Sequence, residues 1–140
     1  EIASCLVGSE MCIRDRNSIL NLTKNARDAL IDSDTSSPEI NIITRISHGE
    51  IIDGERNSTV CKISVIDNGP GIKDDIKDSI FFPMITGKDT GTGLGLSITQ
   101  GIISQHKGSI HFSSQPNRTE FFINIPINSD KALDLRLANG

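Results

Sequence analysis

The chain is 140 residues long, 36% hydrophobic and 23% charged, with a formal net charge of −4. That length suits one domain with its own core, and the composition argues against a disordered chain. The acidic balance, the lack of Trp and Tyr and the lack of any apolar run near ~20 residues argue against a nucleic-acid partner and against a membrane span.

Residues 1–16, EIASCLVGSEMCIRDR, show neither helical nor strand periodicity and read as an atypical leader foreign to the rest of the chain. From Asn17 to about Asp32 the spacing predicts a helix, with Ile19, Leu22, Ala26, Ala29 and Leu30 as its apolar stripe. Asn21, Asn25 and Asp28 form a second stripe about a third of a turn away. SDTSSP (33–38) is a stop signal. EINIITRI (39–46) then alternates as a half-buried strand, with Ile40, Ile42, Thr44 and Ile46 on one face. Residues 47–59 read as a polar loop, and VCKISVID (60–67) as a second strand carrying Cys61, Ile63, Val65 and Asp67 on one face.

NGPGI (68–72) breaks that strand, and DDIKDSIFF (74–82) reads as a short helix stopped by Pro83. A glycine-rich loop (86–95) leads into a helix ending near Lys107, with Gly108 as its stop. SIHFSS (109–114), the turn QPNR and TEFFINIPI (119–127) read as a β-hairpin, and residues 128–140 as a tail. Cys5, Cys12 and Cys61 lack CxxC spacing, which fits reduced thiols in a cytoplasmic protein.

Three features carry chemistry. Two Asn on one face of a helix are mediocre helix formers; they make either a solvated polar face or two neutral oxygen ligands for a Mg²⁺ held by phosphates. Asp67 ends an apolar strand on its inward face; it is either a turn residue or a buried acceptor for an exocyclic amine such as adenine N6, which guanine would not offer. Gly69 and Gly71 would let backbone approach a flat ligand. Gly91-Thr92-Gly93-Leu94-Gly95-Leu96 opens a helix, where backbone N–H groups can hold phosphate, yet it matches neither the dinucleotide fingerprint nor the P-loop.

In this order, Asn21 to Ala26, Asp67 to Gly71, Phe81-Phe82-Pro83 and Gly91 to Leu96 resemble the N box, first glycine box, F box and second glycine box of the GHKL superfamily, in particular the ATP-binding catalytic domain of sensor histidine kinases. The resemblance covers about residues 17–127, and the short lid with Gln105-His106, Gly108, Ile110, Phe112 and Thr119-Glu120-Phe121 looks most like the nitrogen-regulation (NtrB) class. It implies an α+β two-layer sandwich, a mixed, mostly antiparallel sheet backed by helices on one face, truncated at its N-terminus. It also implies that ATP and Mg²⁺ are bound, with Asn25 on the metal, Asn21 supporting it, and Lys24 or Arg27 within reach of phosphate or simply on the surface. Asp67 and Thr119 would meet adenine, although Thr119 also suits a plain core position. Gly69 and Gly71 would shape the base pocket, and Phe81 and Phe82 would dock the lid unless they are core. Lys88 would clamp the γ-phosphate, and Gly91, Thr92, Gly93, Leu94, Gly95 and Leu96 would wrap the phosphate chain.

The implied activity is transfer of the γ-phosphate to a histidine on a separate dimerising domain, which then serves a response regulator. Related ATPases carry a Glu where Asn21 stands, and an amide cannot take a proton from water near pH 7, which disfavours hydrolysis. His48, His106 and His111 read as surface residues, so the acceptor is expected on the missing domain, through which alone a homodimer is expected. A GHKL-type ATPase or serine kinase, and a non-catalytic nucleotide-sensing module, are the competing expectations.

Overall fold

The computed structural model describes residues 11–85 and 93–127. Helix α1 (Met11–Asp32) is followed by strands β1 (Ile40–Ile52) and β2 (Glu55–Asp67), a 3-10 turn at Lys77–Ser79, helix α2 (Gly95–Gln105), and strands β3 (Ser109–Gln115) and β4 (Arg118–Pro126). The strands form one sheet in the order β1-β2-β4-β3, and all its pairings are antiparallel. Helix α1 packs over β2 and α2 over β3, which gives the expected two-layer α+β arrangement.

Ser18, Leu22, Ala26 and Leu30, each one turn from the next, are the buried row of α1. Leu22 and Ala26 meet Val65 of β2, Ile103 of α2, Ile110 of β3 and Phe121 and Ile123 of β4 in a single apolar cluster. The alternation in 60–67 holds: Cys61, Ile63, Val65 and Asp67 are all buried.

Four local expectations are corrected. Helix α1 begins at Met11 rather than Asn17, because MCIRDR contains no Gly or Pro to stop it and Asp15 is buried near its start. The loop expected over 47–59 is instead the far half of a long hairpin. Asp53 and Gly54 (φ 50° and 84°) form a two-residue turn whose twist suits antiparallel strands, joining Ile52 to Glu55 in register. Strand β1 is not half buried: Ile42 (46% exposed) and Ile46 (52%) are open because β1 is the outermost strand and the helices lie over its neighbours. The helix expected over 74–82 shrinks to Lys77–Ser79, held by i→i−3 bonds such as Ser79 N to Ile76 O (3.0 Å) and Phe82 N to Ser79 O (2.9 Å).

The end of α2 also differs in detail. Lys107, not Gly108, takes the left-handed conformation (φ 57°). Lys107 N donates to Ser104 O and Gly108 N to Ile103 O, both at 3.0 Å, the paired bonds of a Schellman cap. Gly108 is needed for another reason: a Cβ there would lie 2.5 Å from Asn124 O, so only glycine lets the helix end sit against β4.

Candidate functional site

Asp67 ends β2 on the face covered by helices, and its register partner in β4 is Thr119. Both are 5% exposed. The ladder places their side chains side by side, as strand parity predicts. Asp67 Oδ1 accepts the Gly69 N–H at 2.9 Å, and among the described residues its second oxygen takes no hydrogen bond. Burial pushes the Asp67 carboxyl above the usual carboxylate range, and the Gly69 N–H offsets part of that shift. A buried carboxylate with an open acceptor position invites a donor from outside the chain.

The glycines here are sterically required. A Cβ on Gly69 would stand 2.8 Å from Asp67 Oδ1 and 3.6 Å from Leu30 Cδ2, so a side chain would displace the carboxylate. Gly71 adopts φ +91°, and a Cβ on it would meet Ser114 Oγ at 3.0 Å and Gln115 O at 3.1 Å. Ser114 Oγ accepts the Ile72 N–H at 2.7 Å. Asn68 ties the same turn to the loop before β1, accepting from Glu39 N (2.8 Å) and donating to Ser37 O (3.0 Å).

Helix α1 runs between this turn and the start of α2. Ala29 and Leu30 touch the Gly69 turn at one end of the helix. Asn21, two turns earlier and about 12 Å along the axis, donates through Nδ2 to Thr99 Oγ1 (3.3 Å) and, at longer range, to Gly95 O (3.5 Å). Asn25 is half buried between these points, one turn from Asn21 and one from Ala29, and among the described residues it has no hydrogen-bond partner. Asn25 therefore lies on α1 between the contact with α2 and the end of the helix nearest the Gly69 turn. Lys24 and Arg27 are exposed, and Arg27 lies 3.3 Å from Asp28.

Of the glycine-rich loop, Gly93, Leu94, Gly95 and Leu96 are described; Lys88, Gly91 and Thr92 lie outside the described residues. Met84 N donates to Gly93 O at 3.0 Å, and a Cβ on Gly93 (φ +67°) would fall 2.6 Å from Met84 C. The backbones on either side of residues 86–92 thus come into direct contact. Among the described residues no side chain caps the first turn of α2. Gly95 faces Asn21, whose Cγ would lie 3.9 Å from a Cβ built there.

Of the two phenylalanines, one follows the core expectation. Phe81 packs on Phe112 with ring centroids 6.1 Å apart, whereas Phe82 is 63% exposed beside exposed Met84. An open groove of about 670 Å³ between α1 and α2, lined by Leu20, Asn21, Ile98 and Ile102, reaches Asn21 but not Asp67.

His48 and His111 are exposed, as expected. His106 is not: its Nε2 lies 2.6 Å from Asp15 Oδ1, and the two side chains are 18% and 6% exposed. Among the described residues no cluster of three or more His, Cys, Asp or Glu could hold a metal ion. Sequence reasoning passes over Asn68, Thr99 and Ser114. Asn68 beside a strand-ending Asp is a readable turn signal, whereas Thr99 and Ser114 carry none.

The profile of the family described as "Histidine kinase-, DNA gyrase B-, and HSP90-like ATPase" matches residues 14–129. The sensory histidine kinase/phosphatase NtrB of Salmonella typhimurium is 43% identical over 109 residues, covering 78% of this chain and 30% of that protein. Among solved structures, the nucleotide-free catalytic domain of histidine kinase ThkA matches with a TM-score of 0.65 and 30% identity, over 86% of this chain and 70% of that one. Full-length ShkA in complex with AMPPNP matches with a TM-score of 0.58 and 25% identity, over 81% of this chain and 21% of that one. The chain spans about 30% of the length of the curated relatives it matches.

Proposed function

Because the chain belongs to the histidine kinase-, DNA gyrase B- and HSP90-like ATPase family, we propose that it is the catalytic unit of an NtrB-like two-component kinase, binding Mg-ATP and passing the γ-phosphate to a histidine of a separate phosphoacceptor domain. The observation that carries this reading is the buried Asp67–Thr119 pair with an open carboxylate oxygen. Asp67 accepts a hydrogen bond from adenine N6, and Thr119 joins it directly or through water. A guanine would present a carbonyl to the carboxylate at that point and be rejected. Gly69 and Gly71 keep the approach to the base free of side chains. The glycine-rich approach to α2 and the start of that helix, Gly91, Thr92, Gly93, Leu94, Gly95 and Leu96, wrap the phosphate chain, and Lys88 clamps the γ-phosphate.

Asn25 offers a neutral oxygen to Mg²⁺, which when bound neutralises phosphate charge during transfer. The remaining contribution of the chain is positioning and charge stabilisation. An acceptor imidazole nitrogen attacks the γ-phosphorus, the bond from γ-phosphorus to the β–γ bridging oxygen breaks, and ADP leaves. Asn21 stands where a hydrolytic enzyme needs a base, and its NH₂ is bonded to α2, so water has no proton acceptor there. This favours transfer over hydrolysis.

In this reading the catalytic unit reaches back past the expected Asn17 boundary, since α1 starts at Met11 and Asp15 is bonded to His106, and it runs to residue 127, with 128–140 a tail. The acceptor domain and the response regulator it serves are the partners, dimerisation belongs to the acceptor domain, and the compartment is the cytoplasm. No helix among the described residues is long and apolar enough to cross a membrane.

The test is calorimetric titration with ATP, ADP and GTP with and without Mg²⁺, and then transfer of radiolabelled γ-phosphate to an added NtrB-type phosphoacceptor domain. Mg-ATP binding, GTP exclusion and labelling of that domain are expected. Absence of ATP binding would overturn the whole reading, and binding without labelling would make the chain a nucleotide sensor.

A further inference from the structure

Thr99 is fully buried (0% exposed) one turn into α2. Its hydroxyl donates to Gly95 O at 2.8 Å within its own helix. A hydroxyl has a single proton, so once that is given to Gly95 O only lone pairs face α1. There Asn21 Nδ2 lies 3.3 Å from Thr99 Oγ1 and 3.5 Å from Gly95 O. Both atoms that α2 turns toward Asn21 are acceptors. A carboxamide can meet two acceptors only with its NH₂ end, so the hydrogen-bond pattern alone settles which way the Asn21 amide points. Its Oδ1 is then the arm left over, at the edge of α1 that also carries Asn25.

We infer that Thr99 is a positioning residue, which locks the Asn21 carboxamide so that only its carbonyl oxygen is offered to the nucleotide side. This rests on the nucleotide reading given above. An oxygen acceptor at that point repels a bare phosphate oxygen. It can take a hydrogen bond from water in the shell of a divalent cation, or from the N–H of an incoming imidazole. Asn21 therefore acts through the cation or the acceptor, and its contribution to nucleotide affinity vanishes when the cation is removed. With the amide reversed, Asn21 would donate to phosphate, and its contribution would persist without metal.

Thr99→Val keeps the shape and removes both hydrogen bonds, and Thr99→Ser keeps the hydroxyl. Two measurements on the full chain decide the matter. In ¹⁵N spectra the Asn21 side-chain NH₂ pair should exchange slowly with solvent in the wild type and in Thr99→Ser, and quickly in Thr99→Val. By calorimetry, Mg-ATP affinity should fall about tenfold in Thr99→Val and stay within about twofold in Thr99→Ser, while ATP affinity in EDTA is unchanged in both. Unaltered amide exchange in Thr99→Val would overturn the orientation, and an equal loss with and without Mg²⁺ would reduce Thr99 to a structural residue. A wild-type chain that binds no ATP at all would instead sink the proposed function, and the amide signals would still report whether Thr99 holds Asn21.

Discussion

Asp67 and Thr119 stand opposite each other in the β2–β4 ladder, both almost wholly buried, yet neither hydrogen-bonds to the other. A carboxylate and a hydroxyl side by side inside a fold would ordinarily satisfy one another. Here the carboxylate turns one oxygen to Gly69 N–H and, among the described residues, keeps the other open.

Burial of that charge makes stability depend on pH. The folded state holds the Asp67 proton more tightly than the unfolded chain does, because burial penalises the ionised form. Stability therefore falls as the pH rises from the ordinary carboxylate range through the higher folded value, and remains lower at neutral pH. Asp67→Asn removes the charge and keeps an acceptor for Gly69 N–H. The variant should melt a few degrees higher than wild type at pH 7, on the order expected for about 1 kcal/mol, with the gap narrowing as the pH falls. ATP affinity should drop on the order of a hundredfold, since the amide cannot serve adenine N6 as a carboxylate does. Thermal melts across pH and calorimetry check both halves; a variant that melts lower at pH 7 would contradict the argument.

Thr119→Val tests the other member of the pair. Valine has nearly the same shape and suits a strand, so the melting temperature should change by no more than a few degrees. If the hydroxyl meets the base directly or through water, ATP affinity should fall by about five- to tenfold. A plain core threonine would leave it unchanged, so the ratio of dissociation constants decides between the two roles.

The sequence was most informative where strand parity or composition isolates a residue. Asp67 is charged in a row of Cys61, Ile63 and Val65, and Thr119 shares parity with Phe121 and Ile123, so the pattern alone puts both inside. The far half of the β1–β2 hairpin was not legible as strand, because both of its strands are largely solvent-exposed and carry polar residues at most positions, leaving no alternation to read. Asp53-Gly54 was the one turn signal in it. Thr99 was invisible for a different reason: its role depends on a bond to Asn21, 78 positions away, and nothing local distinguishes it from a surface threonine on a helix.

Gly108 and Lys107 should respond in opposite directions. Gly108→Ala would set a methyl 2.5 Å from Asn124 O and 3.0 Å from Ile103 Cγ2, forcing the helix end off β4. A loss of about 2–4 kcal/mol is expected in denaturant melts. Lys107→Gly relieves a left-handed residue (φ 57°) and should add about 0.5–1 kcal/mol. If Lys107 were not held in the left-handed region in solution, Lys107→Gly would give no gain.

Introducing a carboxylate at position 21 should not bring about ATP hydrolysis. Asn21→Glu places an acid where related ATPases hold their base, and a count of motif residues would expect phosphate release to rise. The environment of Asn21 argues otherwise. Gly95 O and Thr99 Oγ1 both present acceptor lone pairs to this side chain, and a carboxylate has no proton to give them. The new charge must swing away from α2, and the contact that ties α1 to α2 is lost, at a cost of about 1–3 kcal/mol. Asn21→Glu should therefore melt lower than wild type and release no more phosphate from ATP. A malachite-green assay beside a thermal melt reads both quantities, and a single Glu variant that folds normally and hydrolyses ATP rapidly would refute the account of how α2 constrains this position.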